Sequence, residues 1–66
     1  MNLNELAITL KHRRNILQLR QEDVAEIAGI SLRTLRAIEN GTANPSIETL
    51  QKLLEVLGLK FKIEPK

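Results

Sequence analysis

An all-α fold with one short strand at its C-terminus is predicted by three observations. The stretch 21–41, QEDVAEIAGISLRTLRAIENG, reads as two short helices joined by a tight turn at Gly29. The segments on either side repeat apolar residues at helical spacing, with Leu3, Leu6, Leu10 and Leu17 before it and Ile47, Leu50, Leu53, Leu54 and Leu57 after it. Residues 59–64, LKFKIE, then alternate apolar and charged side chains, which is the period of a strand.

Helix 1 is expected from about Leu3 to Leu17. Asn2 can cap it, with Glu5 three residues on completing a capping box. Ala7 lies beside its apolar face, and Arg14 falls on or near that face, so Arg14 needs a partner. His12 is a lone histidine and reads as a surface residue. In the turn 18–20, Leu19 should plug the core, and Gln18 should take a left-handed conformation better suited to glycine or asparagine. Helix 2 is expected from about Gln21 to Ala28, with Glu22 and Asp23 in the first turn, where the helix dipole favours them. Arg20 is a poor cap, so a phosphate or water is expected to satisfy this N-terminus.

Ala25 is small enough for a second helix to pass over it, and Gly29 supplies the turn, through φ > 0 or close backbone approach. Ser31 can cap helix 3, from Leu32 to about Asn40. Leu35 and Ile38 point inward, leaving Leu32, Arg33, Arg36 and Ala37 outside. Two helices crossing this way form a helix-turn-helix, whose second helix enters the DNA major groove. Two readings of Leu32 stand: a contact to thymine methyl groups, or a single exposed apolar residue of the common kind. Asn40-Gly41 ends helix 3, and Ser46 caps helix 4, from Ile47 to about Leu57, which Gly58 stops.

The tail strand has no partner in an otherwise helical chain. The same strand from a second copy would supply one, giving a two-fold dimer with Leu59, Phe61 and Ile63 packed on the helices. A frayed terminus is the alternative. The chain thus divides into a helical unit, residues 1–58, and a dimerisation strand, residues 59–66.

Composition agrees. A chain of 66 residues forms one domain with a marginal core and needs a second source of stability. It has no cysteine, so oligomerisation is the expected source, and a reducing cytoplasm fits. No apolar run is long enough to span a membrane, and the order of charges in the first 14 residues is the reverse of a signal peptide. The formal charge is +2, with Arg13, Arg14, Arg20, Arg33 and Arg36 set against Glu22, Asp23 and Glu26 on helix 2. A basic surface of this kind suits nucleic acid, and a solvated charged face is its plainer reading.

RQEDVAEIAGISLRTLRAIENGTANPSIETLQKLLEVLGL closely resembles the Cro/lambda-repressor-like, xenobiotic-response-element type of helix-turn-helix family. The resemblance covers about Leu6 to Leu59. Its markers are Gln21, Ala25, Gly29, Ser31, Thr34, Leu35, Ile38, Glu39, Gly41 and Pro45, followed by the amphipathic helix that ends in Leu57-Gly58. It implies a compact bundle of four or five helices. Ser31, Leu32, Arg33, Arg36 and Ala37 match the base-reading surface of the recognition helix. Gln21, Thr34, Asn40, Thr42 and Asn44 match positions at the DNA phosphates. Arg14 and Glu39 resemble a family ion pair tying helix 1 to the end of helix 3.

The chain departs from the pattern at Arg20, where Thr or Ser usually caps, and at Gln18, where glycine is common; Arg20 is expected to add a phosphate contact instead. GLKFKIEPK is similar to the C-terminal strand of the HipB-type antitoxins, in which that strand pairs across a dimer. Such proteins often repress their own operon and bind a neighbouring kinase-like toxin.

The expected function is therefore a cytoplasmic, homodimeric, sequence-specific repressor reading a palindromic site on double-stranded DNA. The alternative is a HipB-like antitoxin whose main role is to bind a toxin protein. Paired carboxylates, a nucleophile–base arrangement and a phosphate-cradling glycine loop are all missing from the sequence. No enzymatic activity, catalytic residue, metal or cofactor is expected.

Overall fold

The structure, a computed structural model, describes residues 2–65. Four α-helices lie among them: α1 (Leu3–Ile16), α2 (Gln21–Ala28), α3 (Leu32–Glu39) and α4 (Ile47–Val56). Three begin on a short polar side chain. Asn2 Oδ1 accepts from the Glu5 N–H at 2.9 Å, Ser31 Oγ from Thr34 at 3.0 Å, and Ser46 Oγ from Thr49 at 3.1 Å. Each such cap is worth about 1 kcal/mol, because it satisfies an amide the helix cannot.

α2 starts differently. The Arg20 side chain makes no cap; instead the Asp23 carboxylate reaches back to accept the Arg20 backbone N–H at 3.0 Å. The same carboxylate accepts from Arg20 Nε at 3.3 Å and Nη2 at 3.2 Å. The Arg20 guanidinium holds the Asp23 carboxyl below its ordinary range, helped by the backbone bond.

All four helices end in one pattern, a nested pair of backbone bonds closed by a left-handed residue. Leu19 N–H reaches Arg14, Ile30 reaches Ala25, Thr42 reaches Ala37 and Leu59 reaches Leu54. The left-handed residue is Gly29, Gly41 or Gly58 in three of them and Gln18, at φ 57°, in the first. At Gly29 the requirement is conformational only, since an added Cβ would meet nothing within 4 Å. At Gly41 it is also steric, because a Cβ would lie 2.9 Å from Asn4 Oδ1.

The core is one cluster: Leu10 from α1, Val24, Ala25 and Ala28 from α2, Leu35 and Ile38 from α3, and Leu53, Leu54 and Leu57 from α4 and its end. α3 packs on α1 and α2, and α4 packs on α2. Ala25 is buried within this cluster. Arg13 of α1 donates from Nε to the Leu57 carbonyl at 2.8 Å, satisfying the end of α4.

Six expectations need correction. No strand is present among the described residues, and 59–64 runs irregularly after α4. The reason is that a strand exists through its ladder, and alternation alone supplies no neighbouring backbone. Leu59 instead turns back, half-buried against the core. Ile47 is 73 % exposed although the periodicity puts it on the apolar face of α4. Helical side chains lean toward the N-terminus, so a first-turn residue overhangs its packing partner. Leu3, at the start of α1, is partly exposed for the same reason, and Leu17, partly exposed as well, is the C-cap of a helix that ends at Ile16. Asn40 and Leu57 likewise cap α3 and α4 rather than extend them.

Candidate nucleic-acid interface

α3 has eight residues, so it is about 12 Å long, and an α-helix with its side chains is about 10–12 Å across, a cross-section that the B-DNA major groove admits. Its inner side is fixed by Leu35, Ile38 and Glu39, all buried. Arg33, Thr34 and Arg36 therefore face solvent, with Leu32 and Ala37 half-buried at the margins. Ser31 stands exposed at the N-terminal end, where its Oγ also donates to Thr34 Oγ1 at 2.8 Å. Thr42 is exposed just beyond the C-terminal end. Its backbone N–H and Oγ1 both bond the Ala37 carbonyl, at 3.0 and 3.1 Å. The loop after α3 is thereby held against the helix it follows.

Arg20 and Gln21 lie at the start of α2, and Gln21 reaches α3 directly. Asn40 is exposed at the C-cap of α3. Asn44 is exposed and lines a groove with Asn2, Leu3, Leu6, Leu50 and Phe61, none of which belongs to α2 or α3.

The structure sorts the five arginines. Arg14 is 11 % exposed and Glu39 3 % exposed at their side chains. Arg14 Nε donates to Glu39 Oε2 at 2.8 Å, Nη2 to Oε1 at 3.0 Å, and Nη1 to the Leu19 carbonyl at 2.9 Å. This is a forked pair, the geometry that makes an arginine–carboxylate contact strong. The hydrogen bond to Glu39 raises the Arg14 pKa above its ordinary value, against the opposing effect of burial. Arg13 is occupied by Leu57 and Arg20 by Asp23. Arg33 has no hydrogen bond or ion pair among the described residues. Arg36 has one bond, from Nε to Gln21 Oε1 at 3.4 Å. Among the arginines, the guanidinium groups open to a ligand are thus those of α3.

Three features escaped sequence reasoning. Arg13 capping α4 and Gln21 bonding Glu39 join residues far apart in the chain and have no local signal. Asp23 had one: it stands three residues after the N-cap, the spacing that identified Glu5.

A buried α2–α3 crossing with an exposed basic second helix defines a helix-turn-helix protein. The family profile described as helix-turn-helix matches residues 10–63, and the chain belongs to that family. It is 38 % identical over 53 residues to an uncharacterized HTH-type transcriptional regulator of Methanocaldococcus jannaschii, covering 80 % of each chain. It is 40 % identical over 55 residues to the HTH-type transcriptional regulator DdrOP3 of Deinococcus deserti, covering 83 % of this chain and 43 % of that one.

Proposed function

We propose that this chain is a sequence-specific DNA-binding transcriptional regulator, acting in the cytoplasm as a homodimeric repressor. The observation that carries the reading is the outer face of α3, where, among the described residues, Arg33 is unengaged and Arg36 is held by a single bond at 3.4 Å. Arg33 and Arg36 read guanine through O6 and N7, and Leu32 and Ala37 lie near thymine methyl groups, with Ser31 at the adjoining base edge. Gln21, Thr34, Asn40, Thr42, Asn44 and the remaining donors of Arg20 contact phosphates, setting register without reading sequence. Both relatives carry the name of a transcriptional regulator, which supports the same reading.

The helical unit, residues 1–58, binds DNA, and the tail, residues 59–66, pairs two copies. Phe61 and Ile63 are 58 % and 85 % exposed, an apolar surface that an antiparallel ribbon with a second tail would cover. Leu59 contributes from below, half-buried in its own chain. Two α3 helices would then sit about 34 Å apart and read half-sites one helical turn apart.

Selection of bound sequences from a random duplex pool, at stated salt, tests this reading. The expected result is a palindrome with half-sites about one turn apart. Weak, salt-sensitive binding with no enriched sequence would overturn it in favour of a protein-interaction module. A transcription assay with the selected site across a promoter then tells repression from activation.

A further inference from the structure

Glu39 accepts more than its arginine. Its Oε1 takes Arg14 Nη2 at 3.0 Å and Gln21 Nε2 at 3.1 Å, while Oε2 takes Arg14 Nε. A carboxylate paired in this way only accepts, so the Gln21 amide must turn its nitrogen inward. Its oxygen is then directed outward, and there it meets the Nε of Arg36 at 3.4 Å. A chain of bonds runs from the buried Arg14–Glu39 pair, through one amide, to an exposed side chain of α3.

We propose that Gln21 is a positioning residue for specificity: the buried Glu39 fixes its amide orientation, and its carbonyl holds the Arg36 guanidinium in its reading position. This rests on the DNA-binding reading above and deepens it. A guanidinium on a flexible stem loses rotamer entropy when it engages a base, and a partner that already restrains it lowers that cost. Arg33, with no such partner among the described residues, enters the groove unrestrained. The second N–H of the Gln21 amide remains available for a phosphate, so positioning and phosphate contact are compatible.

The test compares wild type, Gln21→Met, Arg36→Ala and the double variant. Methionine keeps the length of the side chain and removes the amide, and Glu39 keeps both of its arginine bonds. Gln21→Met is expected to relax the same base pair of the selected site as Arg36→Ala, with the position read by Arg33 unchanged. It should weaken specific binding about tenfold in wild type and less than about twofold once Arg36 is alanine, the coupling expected within one hydrogen-bond network. Equal weakening on selected and random duplexes, undiminished in the Arg36→Ala background, would overturn the proposal and leave Gln21 a phosphate contact alone.

A second measurement needs neither a variant nor DNA. Nitrogen relaxation at arginine Nε in the free wild-type protein should show Arg36 more ordered than Arg33. Equal mobility of the two overturns the positioning role, even if a palindrome is selected. Conversely, an ordered Arg36 in a protein that selects no sequence removes the DNA-reading function together with the specificity claim built on it.

Discussion

Single residues decide two stability questions here. The Arg14–Glu39 pair is almost wholly removed from water, and removing one member leaves the other buried and unpaired. Arg14→Leu is therefore expected to cost about 3–5 kcal/mol, a large fraction of the stability of so small a domain. Replacing Arg14 and Glu39 together by leucine should recover much of that loss. Circular-dichroism melting of the two variants and wild type checks both statements. If Arg14→Leu melts like wild type, the pair contributes nothing. Gln18 poses the opposite case, a side chain at φ 57° where glycine carries no steric penalty. Gln18→Gly should stabilise the fold by about 0.5–1 kcal/mol. A midpoint in denaturant that stays put or falls would show that the site is relaxed.

At the scale of the element, α2 and α3 depend on how they begin and what they expose. α2 depends on Asp23, whose carboxyl is held below its ordinary value, chiefly by the Arg20 guanidinium. A group with a lowered folded-state pKa stabilises fully above its unfolded value of about 3.9, and loses that contribution as pH falls through the folded value. Asp23→Ala should accordingly lower the melting temperature at neutral pH, and the gap should close in strong acid. A gap independent of pH would assign the loss to something other than the charge. α3 depends on Arg33 for reading. Arg33→Ala should cost on the order of 1–3 kcal/mol in specific binding and relax one base pair of the site. Unchanged affinity for selected and random duplexes would remove Arg33 from that role.

For the whole molecule the tail carries one exposed apolar surface. Phe61 lines the groove with Leu3, Leu6 and Leu50 while staying more than half exposed, and Ile63 stands clear of the core. Phe61→Asp should leave the helical unit folded, shift the sedimenting species from dimer to monomer at micromolar concentration, and weaken palindrome binding far more than non-specific binding. Wild-type protein that already sediments as a monomer would sink the ribbon. A truncation chosen for the same purpose should begin after Leu59, because that residue closes the end of α4 through its bond to Leu54.

Sequence alone determined whatever depends on neighbours in the chain. Asn2, Ser31 and Ser46 cap because the amide each satisfies lies three residues away. Gln18, Gly29 and Gly41 turn left-handed because each helix closes on its own last carbonyls. The inward and outward sides of α3 follow from its period, with Leu35 and Ile38 inside and Arg33 and Arg36 outside. Only the tertiary structure decided which groups far apart in the chain engage one another. Arg13 reaches Leu57 across 44 residues, and Gln21 reaches Glu39 across 18. It also decided that Ile47 overhangs and that the tail, offered no neighbouring backbone, stays irregular. The physical reason is one of range: caps and turns are bonds within a few residues, whereas ion pairs, burial and strands need a partner that only folding brings near.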